Sequence, residues 1–163
     1  MTQKVLQQAG IEEQRVKLSW ISSAEAQRFA QVATEIVENT RELGLLDPKK
    51  FELELKSARR TLDNELVRWT VGKEKPITEQ GDVYGRSWQV ETYRQVLDRI
   101  ACKEYYKNLI YTALEYGCKS VRDINAKTGM DMNKISFLLA DMEKDGMVEF
   151  KGMQDHKPEF AIA

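Results

Sequence analysis

Three side chains of the sequence have the chemistry to bind a metal or a cluster: Cys102, Cys118 and His156. A structural zinc site takes four Cys or His ligands, and most iron–sulfur clusters take four cysteines. Three such residues, with no CxxC pair among them, complete neither site. Both cysteines fall in predicted helices, where a free cysteine packs as a small apolar side chain. We therefore predict that this chain binds no metal and no cofactor.

The residues do not predict a catalytic site either. His156 falls in a predicted hairpin loop, so the sequence offers no set of nucleophile, histidine and acid. The carboxylates lie on the outer faces of amphipathic helices, where solvation explains them. The glycines at positions 81 and 85 lack the Lys and Ser or Thr of a phosphate-binding loop. We predict that the chain is not an enzyme.

Charge and hydropathy narrow the class of protein. The 163 residues carry 25 Lys and Arg against 26 Asp and Glu, and 42% are apolar. This balance favours a folded, helix-rich domain over a polyanion-binding one. No stretch approaches the roughly 20 apolar residues of a membrane span, and residues 1–10 lack the apolar core of a signal peptide. We expect a cytoplasmic protein that does not contact a membrane.

Any site would be positioned by the secondary-structure elements, and the sequence pattern predicts a mainly α-helical fold with three regions. A short strand–helix unit comes first, a helical connector with a loop at 72–85 follows, and three helices with a β-hairpin close the chain. The predicted boundaries of these regions are 1–44, 45–100 and 101–163.

In the first region, the β-branched and aromatic residues of 16–21 predict a strand. Ser22 and Glu25 fit a capping box, and apolar residues then recur every three or four positions as far as Gly44. One strand with one helix is not a stable unit. We therefore expect Trp20 and Phe29 to pack on the helices of residues 55–69 or across a homodimer.

In the second region, Asp47 and Pro48 form a helix start, and apolar spacing predicts one helix of about twenty residues that reaches Trp69. Glycines and Pro76 predict the loop over 72–85. Trp88 then begins another helix.

The third region has the clearest pattern. Ser120 with Asp123 predicts a capping box, Gly129 predicts a tight turn, and Asp131 caps the next helix. The predicted order is a helix over 105–116, a helix from Ser120, a helix over 132–144, and strands over 147–150 and 159–162. That order resembles the winged helix-turn-helix. The run LLADMEKDGMVEF resembles the junction of recognition helix and wing in many bacterial winged-helix regulators.

The outer side of the third helix, the turn before it and the hairpin are the candidate surface for DNA or for a protein partner. From residue 101 onward, nine basic residues face ten acidic ones, and the third helix contains no Arg. Because phosphate contacts dominate affinity for DNA, we predict weak DNA binding. The candidate residues are Lys127, Thr128, Asn133, Lys134, Ser136, Phe137, Lys151 and Lys157.

The first region also resembles a known family. Its sequence AGIEEQRVKLSWISSAEAQRFAQVATEIVENTRELG is similar to the C-terminal tail of the methyl-viologen-reducing hydrogenase delta subunit, over residues 10–44. The matching residues are Arg15, Trp20, Ile21, Ser22, Glu25, Phe29, Ala30, Leu43 and Gly44. The resemblance implies a small iron–sulfur protein that passes electrons from a hydrogenase or formate dehydrogenase to a heterodisulfide-reductase-type flavoprotein.

The family's cluster-binding cysteines lie upstream of this tail, and no cysteine precedes it here. The resemblance therefore implies a cluster only for sequence upstream of Met1. Two interpretations stay open: a fragment of a longer electron-transfer subunit, which the isolated strand and helix favour, or a short protein that kept the scaffold. Either way we predict a non-catalytic adaptor that contacts protein subunits of a redox complex. A winged-helix transcriptional regulator that binds DNA is the alternative.

Overall fold

The computed structural model describes residues 1–154 and 157–163. Within them the fold is mainly helical, as predicted, with one antiparallel pair of strands near the C-terminus. No helix in these two ranges is both long and apolar enough to cross a bilayer. The helices are α1 (Thr2–Gln8), α2 (Ala26–Leu43), α3 (Glu52–Asp63), α4 (Glu65–Gly72), α5 (Val90–Glu115), α6 (Val121–Thr128) and α7 (Met132–Lys144). The strands are β1 (Val148–Gln154) and β2 (Lys157–Ile162).

Helix α5 is the centre of the molecule. Its 26 residues contact α1, α3, α4, α6, α7 and β2. The prediction of separate helices over 88–100 and 105–116 is wrong, because residues 101–104 contain no Gly or Pro and the helix runs straight through them. The predicted boundary at 100/101 therefore lies inside α5, and the division into three regions stays a prediction.

The apolar core joins the C-terminal helices to α1 and α3. It is built mainly from residues that point inward from α5, α6 and α7, and Val5 of α1 also lies in it. Burial of each such side chain stabilises the fold by about 1.5–3 kcal/mol. The largest side chains that are almost fully buried include Tyr105, Ile110, Ile124, Ile135, Leu139 and Met142.

A polar seam fixes α3 against α5. The Ser57 hydroxyl donates to the carbonyl of Leu53 at 2.7 Å and lies 3.1 Å from the Thr112 hydroxyl. The Asn108 amide donates to the Thr61 hydroxyl at 3.1 Å. Because buried polar groups cost free energy unless they are hydrogen-bonded, these pairs select one register of the two helices.

The predicted twenty-residue helix that reaches Trp69 is wrong, because the chain breaks at Asn64. The backbone of Asn64 is extended, and its side-chain oxygen accepts a hydrogen bond from the amide of Val67. Its amide nitrogen donates to Glu104 at 3.0 Å. Asn is among the strongest helix N-cap residues, so α3 ends there and α4 begins.

The predicted loop over 72–85 is correct only in its second half. Residues 74–80 are helical, and Pro76–Gln80 form a wide turn in which proline stands at the first position. Proline is tolerated there because the amide of that position has no partner within the helix. Residues 81–89 then form an irregular connection, and the following helix begins at Val90 rather than Trp88.

The C-terminal elements follow the prediction closely. Ser120 and Asp123 form a complete capping box, and Gly129 has the left-handed backbone that ends α6. The Asp131 carboxylate caps α7 at the Lys134 amide. Both strands of the hairpin are longer than predicted, and Lys151 is the extra residue of a bulge. Asp155 and His156 lie outside the described residues.

The first region differs most from the prediction. Residues 16–21 form no strand, since no other strand of the described chain pairs with them. The Ser22–Glu25 box is incomplete: the Glu25 carboxylate accepts from the Ser22 amide at 2.8 Å, but α2 begins only at Ala26. Helix α2 ends before Gly44, as predicted, yet it buries none of its residues.

Candidate partner-binding surfaces

Helix α7 presents the central part of the predicted surface. Ile135, Leu138, Leu139 and Met142 point into the core, as the spacing predicts. The opposite face carries Asn133, Ser136 and Phe137, all exposed, and the Phe137 ring is 76% exposed. An exposed aromatic ring on a rigid helix is the kind of group that protein interfaces favour over Lys.

Lys134 belongs to a different surface. Its ammonium lies 3.0 Å from the centroid of the Tyr106 ring on α5, a cation–π contact. The Tyr106 hydroxyl in turn donates to the Gln8 side chain of α1 at 3.0 Å. The contact turns Lys134 toward α5 and α1 instead of the face that holds Phe137.

Thr128 and Lys127 serve the turn before α7. The Thr128 hydroxyl donates to the Ile124 carbonyl at 2.7 Å and accepts from the Met130 amide at 3.2 Å. Both bonds fix the backbone around Gly129, so the hydroxyl already has a donor and an acceptor within the turn. The Lys127 ammonium lies 5.6 Å from the Tyr116 ring, at the end of α5.

The two lysines of the hairpin each have an acidic neighbour. Lys151 forms an ion pair with Glu149 on the same strand. The pKa of Asp123 is lowered chiefly by hydrogen bonds from Ser120, and the charge of Lys157 lowers it further. Lys127 and Lys134 thus lie against aromatic rings, and Lys151 and Lys157 lie near acidic groups. Affinity for duplex DNA depends on cations that are free to meet phosphates.

The two cysteines do not form a disulfide with each other. Cys102 and Cys118 are both unpaired and half-buried. Burial raises the pKa of the Cys118 thiol, which disfavours the reactive thiolate. Across 1–154 and 157–163, no three His, Cys, Asp or Glu side chains lie close enough to hold a metal ion. His156 is outside the part of the chain that the structure describes.

A second surface lies on the N-terminal region, and we call it the N-terminal apolar surface. Trp20 is 83% exposed and Phe29 is 65% exposed. The prediction that they pack on the helices of residues 55–69 is therefore wrong, since those helices already pack on α5 and α1. Packing across a homodimer stays a prediction. The surface consists of Val16, Leu18, Trp20, Phe29, Ile36 and Val37.

Sequence reasoning missed three exposed aromatic residues in or near the irregular connection. Trp69, Tyr84 and Trp88 are all exposed, and Trp69 carries a cation–π contact with Lys73. Helical spacing assigned Trp69 and Trp88 to buried stripes. The break at Asn64 and the late start of α5 remove both from those stripes, and the sequence carried no separate signal for their exposure.

Comparison with known proteins concerns the N-terminal region. Residues 1–44 match the family described as methyl-viologen-reducing hydrogenase, delta subunit, which confirms the resemblance predicted for residues 10–44. The iron–sulfur subunit of the F420-non-reducing hydrogenase of Archaeoglobus profundus, called the archaeal iron–sulfur subunit below, is 49% identical over 49 residues, 30% of this chain and 34% of that protein. The chain thus spans about a third of this curated relative's length. No solved structure matches the chain significantly.

Proposed function

We propose that this chain is a non-catalytic interaction subunit, or part of one, in a hydrogenase-associated electron-transfer complex. One observation carries the proposal. The residues that match the hydrogenase delta subunit, 1–44, are also those that expose the N-terminal apolar surface. Large exposed apolar side chains that gather in one region of a chain favour a protein contact site.

The proposal places the iron–sulfur cluster outside these 163 residues. The relative is named as an iron–sulfur protein, and about two thirds of its length has no counterpart here. Cys102 and Cys118 are separated along α5 and its end, and four thiolates are the usual requirement for a cluster. The chain would therefore hold subunits together, while the electrons pass through its partners.

We further propose that α5, α6, α7 and the hairpin form a winged helix. The turn at Gly129 between α6 and α7 supports this, as does the hairpin that follows α7. Ser120 also forms an antiparallel bridge with Glu159, and the Phe160 amide donates to the Lys119 carbonyl at 2.8 Å. An isolated β-bridge thereby joins the segment between the first two helices to the hairpin.

The proposed role of this winged helix is to bind a protein. Its outward face on α7 holds Asn133, Ser136 and Phe137, none of which is charged. Protein interfaces favour such a face, because charged residues are depleted at their centres. Duplex DNA would instead need several free cations.

The test uses as its probe the purified A. profundus hydrogenase complex that contains the intact archaeal iron–sulfur subunit. We expect the 163-residue chain to bind it, and Phe137→Ala to weaken binding at least tenfold, as truncation of an aromatic anchor does. Tyr84→Ala is the matched control, because it removes an aromatic ring of similar exposure outside this face, and it should leave affinity unchanged.

A salt titration on a random DNA duplex tests the alternative. We expect negligible binding at physiological salt, with no effect of Lys134→Glu. Submicromolar binding that Lys134→Glu abolishes would identify a DNA reader and contradict the proposed function. Absence of binding to the hydrogenase complex would contradict it as well.

A further inference from the structure

We infer that residues 16–21 pair as a β-strand with the edge of a sheet in a partner polypeptide, and that α2 packs on that same partner. This inference deepens the proposed function, because it names the element through which the N-terminal region contacts the redox complex. Addition of a strand to a sheet edge is a common mode of protein recognition.

The backbone of this segment is fixed at both ends and unpaired between them. At the start, the Val16 amide donates to the Glu13 carbonyl at 3.2 Å, and the Gln3 side chain donates to the Val16 carbonyl at 2.6 Å. At the end, the Ser22 amide donates to Glu25. No group in the described ranges accepts a hydrogen bond from the five amides of residues 17–21. Such a row of free donors is what a sheet edge pairs with.

The side chains of the segment alternate as in a strand. Lys17 forms an ion pair with Glu35 of α2. Successive side chains of an extended chain point to opposite sides, so Leu18 and Trp20 point away from Lys17. They are 79% and 83% exposed. The segment that its β-branched and aromatic residues predict as a strand therefore lacks only a partner strand among the described residues.

Helix α2 is held against this segment and is otherwise uncovered. The Arg15 guanidinium donates to the carbonyls of Leu43 and Gly44 at 3.0 and 2.9 Å, which binds the end of α2 to the turn before the segment. Phe29, Ile36 and Val37 are exposed. Segment and helix thus form one preorganised unit with apolar side chains available on both parts.

The comparisons indicate what covers this unit. Residues 1–44, which expose this unit, match the hydrogenase delta subunit family, and the archaeal iron–sulfur subunit is about three times as long as the stretch that it shares with this chain. About two thirds of that relative's polypeptide therefore lies outside the match. We therefore commit to a partner of that kind: a polypeptide equivalent to the unmatched part of the archaeal iron–sulfur subunit, with a free sheet edge. A second copy of this chain would add only one strand, and a two-stranded sheet is marginal in water.

The experiment co-expresses the 163-residue chain with a truncated form of the archaeal iron–sulfur subunit, from which the 49 matched residues are deleted. We expect the truncated protein to become soluble in a 1:1 complex. Hydrogen exchange should slow at least 100-fold at the amides of Lys17, Ser19 and Ile21, because one partner strand pairs with alternate amides. Ser19→Pro removes one donor from the row and should lower the yield of complex at least tenfold. Ser19→Ala keeps the donor and should match the natural chain.

The intact archaeal iron–sulfur subunit is a second control. It already contains its own copy of the matched residues, so we expect that on its own it does not bind the chain through residues 16–21. Insolubility of the truncated protein beside the natural chain would overturn the inference. Equal yields for Ser19→Pro and Ser19→Ala would overturn it too, as would protection of residues 17–21 that arises from self-association. Binding to the intact hydrogenase complex through Phe137 is a separate result, so the proposed function can survive failure here.

Discussion

The two ends of this chain use the same sequence signals with opposite results. At the C-terminal end, capping residues and an amphipathic helix lead to α7, whose Ile135 and Leu139 are buried. At the N-terminal end, a capping pair and an amphipathic helix lead to α2, which buries none of its residues. The difference lies in what surrounds each helix. Helix α7 has α5, α6 and β1 beside it, whereas α2 contacts chiefly the short helix Glu13–Arg15.

Periodicity therefore predicts which face of a helix is apolar, but it does not predict whether another element packs on that face. Helical spacing identifies Phe29 as an inward residue as clearly as it identifies Ile135. Within the described residues, Ile135 is fully buried in the core, whereas Phe29 is 65% exposed. The contrast also separates a region that contributes to folding from one that is available for binding.

Truncation of a core side chain should give the largest difference in stability between the two regions. Ile135→Ala removes a fully buried side chain, so we expect the free energy of unfolding to fall by about 3 kcal/mol. Phe29→Ala is the matched change in α2 and should cost no more than about 0.5 kcal/mol, because its ring is already in water. Urea denaturation of both variants measures the difference. Equal losses would mean that Phe29 is covered in solution.

Removal of the two serine caps should have the second-largest effect on stability. Ser120→Ala removes a complete capping box, and we expect a loss of about 1 kcal/mol. Ser22→Ala should cost only about a few tenths of a kcal/mol, because Glu25 accepts from the backbone amide and no bond from the Ser22 hydroxyl starts α2 directly. Thermal unfolding of the pair checks this order. A larger loss for Ser22→Ala would show that the N-terminal box is completed in solution.

The ion pair of Glu115 on α5 should have the smallest effect on stability, and this effect should depend on pH. Glu115 accepts two hydrogen bonds from Arg60 at 2.6 and 2.7 Å, and these, with Lys56, lower its pKa to about 2. Since this pKa is depressed on folding, the pair stabilises the fold above the unfolded pKa of about 4.5, and the gain is lost as pH falls toward about 2. Because the pair is partly exposed, we expect about 1 kcal/mol or less.

The pH profile of Glu115→Gln checks this point by urea denaturation. The variant should lose its stability deficit between pH 4.5 and 2, where the natural carboxylate becomes protonated. Glu35→Gln removes the exposed pair with Lys17 and should have a smaller effect at every pH. A deficit for Glu115→Gln that persists unchanged at pH 2 would contradict the ion-pair account.

Local signals predicted the C-terminal elements because each is decided by neighbours in sequence. The Ser120 box, the Gly129 turn and the Asp131 cap depend on residues within four positions, and all three are present. The break at Asn64 could have been predicted as well, since Asn is a strong cap, but continuous apolar spacing outweighed it. The continuous helix across 100/101 has no local signal of its own beyond the absence of Gly and Pro.

The candidate surface was harder to predict because it depends on contacts between distant residues. The pattern of α7 identified Phe137 as exposed, and the structure places it so. It could not show that Lys134 turns to Tyr106, which lies 28 positions earlier on α5. For residues 16–21, the strand pattern was present, but a strand also needs a partner, and the described part of this chain does not supply one.

Native-state hydrogen exchange of the isolated 163-residue chain measures whether the N-terminal segment is unpaired beside a stable core. We predict that the amides of residues 17–21 exchange near their intrinsic rates, while those of Ile110, Ile135 and Leu139 exchange only through global unfolding. That result would show a stable C-terminal core beside an N-terminal segment that is free to bind. Protection of residues 17–21 comparable with that of the core, at any protein concentration, would contradict the account.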